Sequence, residues 1–344
     1  MVSFDPDGPG GEGLFGLSSP QDPLIRVIAV PWEATASYGR GTAAAPSAIE
    51  QASLQVDLED MEYGPVWQVG IDWFDSGAEI AALNTQACEL ALPIIHAGGV
   101  QVGDPRAADV DAFADQRDKM VYRAAKAIFD AGAVPVVLGG DHSSPFGLIR
   151  ATSERHAGVG ILHIDAHADL REAYLGFKSS HASIMHRAMA LPGVGRLVGV
   201  GYRDLGAAEL KRIAEESDRI RAFPDHQIAY HLAQGRSWQT VVNAIIEALP
   251  SKVHISFDID GLDPSLCPNT GTPVPGGLSF RDITVLLSEV SQQREVVSFD
   301  LCEVSPGPQG EWDANVGARI LYKLSGCASV SRQALATPSS PPPL

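Results

Sequence analysis

The sequence predicts a single α/β domain: a parallel sheet with helices packed on both faces. Three observations carry this. Short runs of Val, Ile and Leu recur along the chain, helix-length stretches separate them, and no linker-like segment divides the middle of the 344 residues. Strands buried on both faces read as continuous apolar runs, and their alternation with helices is the pattern of a parallel sheet. In chain order the expected strands are Ile25–Val30, Val66–Trp73, Val134–Leu138, Val159–Ile164, Arg196–Val200, Val253–Phe257 and Val296–Leu301. The expected helices are Pro46–Gln55, about 78–95, Asp115–Ala131, Ser144–Ser153, Ala182–Ala190, Ala207–Glu216, Thr240–Leu249, Phe280–Gln292 and Asn315–Leu324. A loop carrying HAGGVQVGDPR follows the second of these. Residues 1–22, rich in Gly, Pro, Asp and Ser, read as a flexible arm, and residues 331–344 (SRQALATPSSPPPL) as a flexible tail. The folded domain is therefore expected over 23–330.

Charge narrows the partners. Lys plus Arg is 25 and Asp plus Glu is 42, a formal net charge of −17. Nucleic acid and anionic membrane surfaces both call for a basic face, so neither is expected as a partner. A cationic small molecule is compatible, although solubility alone explains such a charge. No apolar run approaches the roughly 18 residues of a membrane span. The start, MVSFDPDGPGGEGLFG, lacks the basic-then-apolar order of a signal peptide. Cys88, Cys267, Cys302 and Cys327 are widely spaced, which reads as reduced thiols in a cytoplasmic enzyme.

The chemistry gathers at strand ends, where open parallel sheets bind ligands. VPVVL runs into Gly139-Gly140-Asp141-His142-Ser143. VGILHI runs into Asp165-Ala166-His167-Ala168-Asp169, and VHISF into Asp258-Ile259-Asp260. VVSFDL runs into Cys302-Glu303. In an extended segment, positions i, i+2 and i+4 face one way, so Asp165, His167 and Asp169 converge. Any one such cluster reads equally as a helix cap or a turn. Three at three strand ends do not, because unpaired carboxylates are costly to bury. His142, Asp165, His167, Asp169, Asp258 and Asp260 are too many ligands for one closed zinc site. They suit two divalent ions bridged by carboxylates. The oxygen-rich set without thiolate favours Mn²⁺, and the imidazoles also tolerate Ni²⁺ and neighbouring metals. Two ions sharing a water generate hydroxide near neutral pH, which makes hydrolysis the reaction class.

With GGDHS, DAHADLR, SFDIDGLDPS and the Glu303 region together, the chain resembles the ureohydrolases, the arginase and agmatinase superfamily, from about Val30 to Leu324. The resemblance implies a three-layer αβα fold with a mainly parallel eight-stranded sheet. It also implies a dinuclear centre and assembly as a trimer or hexamer. One ion would be held by His142, Asp165, Asp169 and Asp258, the other by Asp165, His167, Asp258 and Asp260. Asp165 and Asp258 would bridge. His181, in Ser180-His181-Ala182-Ser183, would transfer protons, and Glu303 would pair with the substrate guanidinium. Physics agrees with these roles. A guanidinium stays charged, its fork matches a carboxylate, and its carbon would face the bridging hydroxide. The leaving nitrogen needs a proton donor. The plain alternatives are an ion pair between Glu303 and Arg319, and a packing role for His181. His163 reads as support for the ligands. Asp141 and Ser143 read as organisers of their loop.

The substrate is read only as a class. LREAYLGFKSSHASIM after Asp169 resembles the agmatinase-type branch, not the Asn/Ser-rich loop with which arginases hold an amino acid. Agmatine, 4-guanidinobutyrate, guanidine and substituted guanidines or biguanides remain open, with urea as one product. The early loop PWEATASYG and the stretch SPGPQGEWDANVG after Glu303 depart from ordinary agmatinases. They resemble a branch that includes nickel-dependent guanidine hydrolases. Trp32, Tyr38 and Trp312 are candidates to wall a small pocket through cation–π contacts, or are simply packed. Two other readings stand beside the hydrolase: a mononuclear zinc amide hydrolase of the deacetylase type, and a non-catalytic chain in a mixed oligomer.

Overall fold

The computed structural model describes residue 6 and residues 11–17, 20–75, 77–307 and 311–334. Among these, eight strands form one sheet in the order β2-β1-β3-β8-β7-β4-β5-β6, and every neighbouring pair is parallel. The strands are β1 Ile25–Val30, β2 Ile71–Asp75, β3 Val134–Gly139, β4 Val159–Ile164, β5 Val194–Val200, β6 Ile220–Phe223, β7 Lys252–Asp258 and β8 Glu295–Cys302. The helices are α1 Ala45–Ser53, α2 Ala78–His96, α3 Arg106–Asp130, α4 Phe146–Arg155, α5 Ile184–Met189, α6 Ala207–Glu215, α7 Asp225–Ala233, α8 Trp238–Ala248, α9 Phe280–Gln293 and α10 Trp312–Ala334.

Alternation along the strands creates the layers. Ile25 and Val27 of β1 pack into one core with residues of α1, α8, α9 and α10. Ile28 and Val30 face the other way, into a core with α2, α3 and α4. Ile161 and Leu197 join α5 in a third cluster on that side. With both faces covered, most strand positions are buried; β1, β3 and β4 are the apolar runs the sequence predicted, while β7 and β8 bury His254, Ser256, Ser298 and Asp300 among their apolar residues.

Five elements differ from expectation. The second strand begins at Ile71, not Val66. Gly70 adopts φ 74, and Val66–Val69 coil into a 3-10 turn before it. The third helix begins at Arg106 because Asp104 accepts from the Arg106 amide, an N-terminal signal within a segment read as loop. β6 and α7 were not expected; the four-residue β6 at the sheet edge alternates Ile220 and Ala222 with Arg221. The last helix continues to Ala334, past the expected tail boundary at Ser331. Ser325, Ser329 and Ser331 are buried there, each donating to a carbonyl of its own helix. Ser331 also accepts from the Val296 amide.

The arm is corrected in the same way. Leu14, Phe15 and Leu17 lie within the expected arm, yet all three are buried in the main core, with Phe15 against Tyr322. Three large apolar side chains outweigh the glycine-rich composition around them. The expected tail beyond Ala334 and the middle of SPGPQGEWDANVG lie outside the described residues.

Candidate metal centre

β3, β8, β7 and β4 lie side by side in the sheet, and the four signature segments leave their carboxyl ends. Chain order jumps at this point, which is where open α/β sheets leave a crevice. A cavity of about 260 Å³ opens there, with His167, Asp169, His181, Asp258 and Glu303 in its wall.

The six expected ligands form two adjoining clusters. In the deeper one, His142 Nδ1 faces Asp165 Oδ2 at 3.1 Å, Asp258 Oδ2 at 3.2 Å and Asp169 Oδ2 at 3.3 Å. In the shallower one, His167 Nδ1 faces Asp260 Oδ2 at 3.1 Å and Asp165 Oδ1 at 3.4 Å. Asp165 thus gives one oxygen to each cluster, as a bridging ligand must. Asp258 reaches the deeper cluster through Oδ2, while its Oδ1 accepts from the Asp260 amide at 2.8 Å.

These groups fit divalent ions. Donor atoms sharing an ion at 2.0–2.2 Å lie about 3.0–3.5 Å apart, the spacing seen in both clusters. The titration pattern gives the same picture. Burial pushes Asp258 up, and the charges of Asp260 and Asp165 add to the effect. Asp260 is likewise raised, by burial and by Asp165. Burial alone would lower His142, but Asp165, Asp169 and Asp258 hold it well above its ordinary value. His167, opposed by burial in the same way, is raised to about 12 by Asp165 and Asp260. Burial would raise Asp165, yet His163, His142 and His167 hold it well below the usual carboxylate range. Two acids and two imidazoles raised around one lowered carboxylate, Asp165, is the pattern of carboxylates crowded around a place for positive charge.

The backbone is bent to serve the site. Asp169 and Glu303 have φ values of 53 and 63, a region costly for non-glycine residues. Three contacts hold Glu303 there: its amide donates to Gly140 O at 2.9 Å, its carbonyl accepts from Thr270 Oγ1 at 2.8 Å, and its Oε1 accepts from the His142 amide at 2.7 Å. Burial and the nearby charge of Asp141 push the Glu303 carboxyl well up. The alternative partner Arg319 is bonded to Asn315 instead. Asp169 is fixed by the Met185 and His186 amides, which both donate to its carbonyl at 3.0 Å.

Support residues fall where the sequence placed them, with one network it did not reveal. Asp141 accepts from Ser143 and from Thr35 Oγ1, and fully buried Arg117 donates to Ser143 Oγ and O. His163 Nε2 stands 2.9 Å from Asp165 Oδ2, out of hydrogen-bonding alignment, while its Nδ1 contacts Tyr202 Oη at 2.7 Å. The unforeseen network lies behind His142. Its Nε2 meets Ser256 Oγ at 2.9 Å, Ser256 donates to Asp300 Oδ1, and Asp300 Oδ2 meets His254 Nε2 at 2.8 Å. Its members lie on neighbouring strands, His254 and Ser256 pairing across the sheet with Ser298 and Asp300, a register that neither segment reveals by itself. Of the aromatic candidates, only Tyr38 lines the cavity. Trp32 is fully buried under the Arg117 guanidinium, and Trp312 is half-exposed, donating to Ser265 O.

Comparison with known proteins settles the family. The arginase family model matches residues 24–326. The chain belongs to the arginase family. It is 32% identical to an N(1)-aminopropylagmatine ureohydrolase of Thermus thermophilus, over 89% of this chain and 90% of that one. It is 26% identical to an agmatinase of Pyrococcus horikoshii, covering 88% and 91%. The solved agmatine ureohydrolase of Thermoplasma volcanium superposes with a TM-score of 0.73 at 23% identity, covering 94% and 96%, which supports the shared fold. The chain is thus an enzyme, a hydrolase of C–N bonds in linear amidines. Among the described residues, no helix is long and apolar enough to cross a membrane.

Proposed function

We propose that this ureohydrolase cleaves a small guanidino compound to urea and an amine, or to urea and ammonia, using two divalent ions. One observation carries the reading: Asp165 offers an oxygen to each of two adjoining ligand clusters, and the cavity above them is walled by the buried carboxylate of Glu303. His142, Asp165, Asp169 and Asp258 would hold one ion, and Asp165, His167, Asp258 and Asp260 the other. Mn²⁺ or Ni²⁺ suits the oxygen- and imidazole-rich set. When bound, such a pair supplies Lewis acidity and a water activated near neutral pH.

The chain's own residues do the rest. Glu303 is held rigid by three hydrogen bonds, so a guanidinium paired with it enters the cavity in a fixed orientation. Pairing with that permanent cation favours the ionised Glu303 carboxylate, opposing the burial that raises it. His181, half-buried in the cavity wall, supplies the proton that the departing nitrogen requires. Asp204, a carboxylate in the same cavity wall outside both ligand sets, favours a cationic substrate. The relatives named for agmatine and aminopropylagmatine point to a guanidino amine, while guanidine, 4-guanidinobutyrate and biguanides belong in the same trial. We place the enzyme in the cytoplasm as a homo-oligomer, a trimer or hexamer. Its mass in solution should then be a multiple of three 36.4 kDa chains.

The test is a panel of these compounds with the Mn²⁺- or Ni²⁺-loaded protein, reading urea. Absence of urea from every compound with either metal overturns the proposal. Activity only after addition of a second chain would instead favour the mixed-oligomer reading. Glu303→Gln should lower kcat/KM about a hundredfold with metal content unchanged, since it removes one charged partner of a bidentate pair. Metal loss in that variant would show that Glu303 supports the ligands and does not anchor substrate.

A further inference from the structure

Residues 165–183 join β4 to α5 largely without regular structure, and His181 stands near the end of this stretch. A proton donor must reach its partner at hydrogen-bond distance, about 2.6–3.2 Å between heavy atoms, so something has to fix this imidazole. Its own hydrogen bonds are long: the His181 amide donates to Thr35 Oγ1 at 3.3 Å, and the ring Nδ1 meets Ser180 Oγ at 3.4 Å. The closest aromatic contact of the imidazole is Tyr174, edge-on, with ring centroids 5.9 Å apart and planes at 82°.

Tyr174 is itself anchored from two directions. It forms a tight turn with Phe177, each amide donating to the other's carbonyl, and Phe177 is fully buried. The Arg171 guanidinium lies over the tyrosine ring, 5.1 Å from its centroid. Arg171 Nε is in turn 3.5 Å from Oε2 of Glu209, a buried carboxylate at the start of α6. Glu209 also accepts from the Leu170 amide at 3.0 Å and the Gly206 amide at 2.9 Å. A side chain at position 206 would crowd this junction, because an added Cβ would stand 3.1 Å from Glu209 Oε2. The Arg171 amide closes the loop by donating to Ala182 O at 3.1 Å. The contacts therefore run unbroken from α6 through Glu209, Arg171 and Tyr174 to the His181 ring.

We propose that Tyr174, held by the Arg171–Glu209 pair, is a positioning residue for His181. It rests on the reading of His181 as proton donor. The geometry explains why an arginine lines a cavity suited to a cation: its charge is met by Glu209, and its plane serves as a platform for the tyrosine. The rival assignment is that Arg171 or Tyr174 touches the substrate directly.

The experiment uses the metal-loaded full chain and its best substrate. Tyr174→Leu and Arg171→Met should each lower kcat about tenfold with KM and metal content unchanged, the effect of a displaced donor. Tyr174→Phe, which keeps the ring, should retain kcat. The deciding measurement combines each variant with His181→Ala. If Tyr174 acts through His181, its loss costs nothing further in that background. The same fold loss with and without His181, a rise in KM with kcat kept, or no loss at all overturns the positioning role. Arg171 is exposed enough to be replaced without threatening the fold, so Arg171→Met decides the matter if Tyr174→Leu fails to fold. Full turnover in His181→Ala alone would overturn the reading of His181 itself, a separate result from failure of the Tyr174 contact.

Discussion

The two ligand clusters use the same residue types and share Asp165, yet they are built to different depths. His142 is 1% exposed; its Nδ1 faces three carboxylates and its Nε2 is held by Ser256 with Asp300 and His254 behind. The His167 side chain is 23% exposed; its Nδ1 faces two carboxylates, and its Nε2 lies 4.0 Å from Asp204, whose side chain is 71% exposed. The deeper cluster has its imidazole orientation fixed within the sheet. The shallower one is oriented mainly from the ligand side; both reach the cavity, the deeper through Asp169 and Asp258 and the shallower through the imidazole of His167 itself. Metal-bound imidazoles depend on a partner at the far nitrogen, so the deeper ion should be held more tightly and exchange more slowly.

The largest test breaks the comparison by removing what the clusters share. Asp165→Ala deletes one carboxylate oxygen from each, along with the charge that balances His163, His142 and His167. Both ions should be lost together, with turnover down at least about a thousandfold, since the ions carry the activation of water. Metal analysis after gel filtration is the check. Retention of one full equivalent of metal would mean that the clusters are independent and Asp165 does not bridge.

The contrast between the clusters also marks what could be read from sequence. All six candidate ligands could be picked from the sequence because each lies at or just past the end of an apolar strand, but the expected period-two convergence is not what gathers them: Asp169 has φ 53, Asp260 lies in a 3-10 turn, and His167 and Asp169 face different clusters. Glu303 and His181 became candidates only through the family resemblance, as neither has a local pattern that distinguishes it from a surface charge. The strand cores were legible for a different reason: burial on both faces leaves apolar runs. Depth was not legible. His254, Ser256, Ser298 and Asp300 look like ordinary polar breaks in apolar strands until the pairing of β7 with β8 brings them together. Register between distant strands is a tertiary property, so a support network made across it has no signature within either segment. The N-terminal arm failed differently. Gly and Pro set its composition, but Leu14 and Phe15 determine where it packs.

A smaller effect sharpens the difference in depth. Ser256→Ala removes the oxygen that meets His142 Nε2 and leaves Asp300 and His254 without that link. The affinity of the deeper cluster should fall by about 10- to 100-fold while the shallower site is unchanged, as expected for loss of a residue that orients a metal ligand. Titration of the metal-free protein with Mn²⁺, resolving two binding steps, is the measurement. Equal weakening of both steps would show that Ser256 supports the sheet as a whole.

The smallest effect comes from the matching change at the other cluster. Asp204→Asn keeps the shape of the side chain nearest His167 Nε2 and removes its charge. At 4.0 Å the pair is beyond hydrogen-bond reach, and Asp204 is largely in solvent, where screening leaves an ion pair worth about 0–1 kcal/mol. Affinity at the shallower cluster should therefore fall by less than about fivefold, against the much larger loss expected from Ser256→Ala. A residual effect should shrink further as salt is raised, because exposed charges are screened over about 10 Å at 0.1 M. Should Asp204→Asn weaken metal binding as much as Ser256→Ala does, the carboxylate must close onto His167 when the ion binds. The shallower cluster would then be as well supported as the deeper one, and the asymmetry would vanish once both sites are filled.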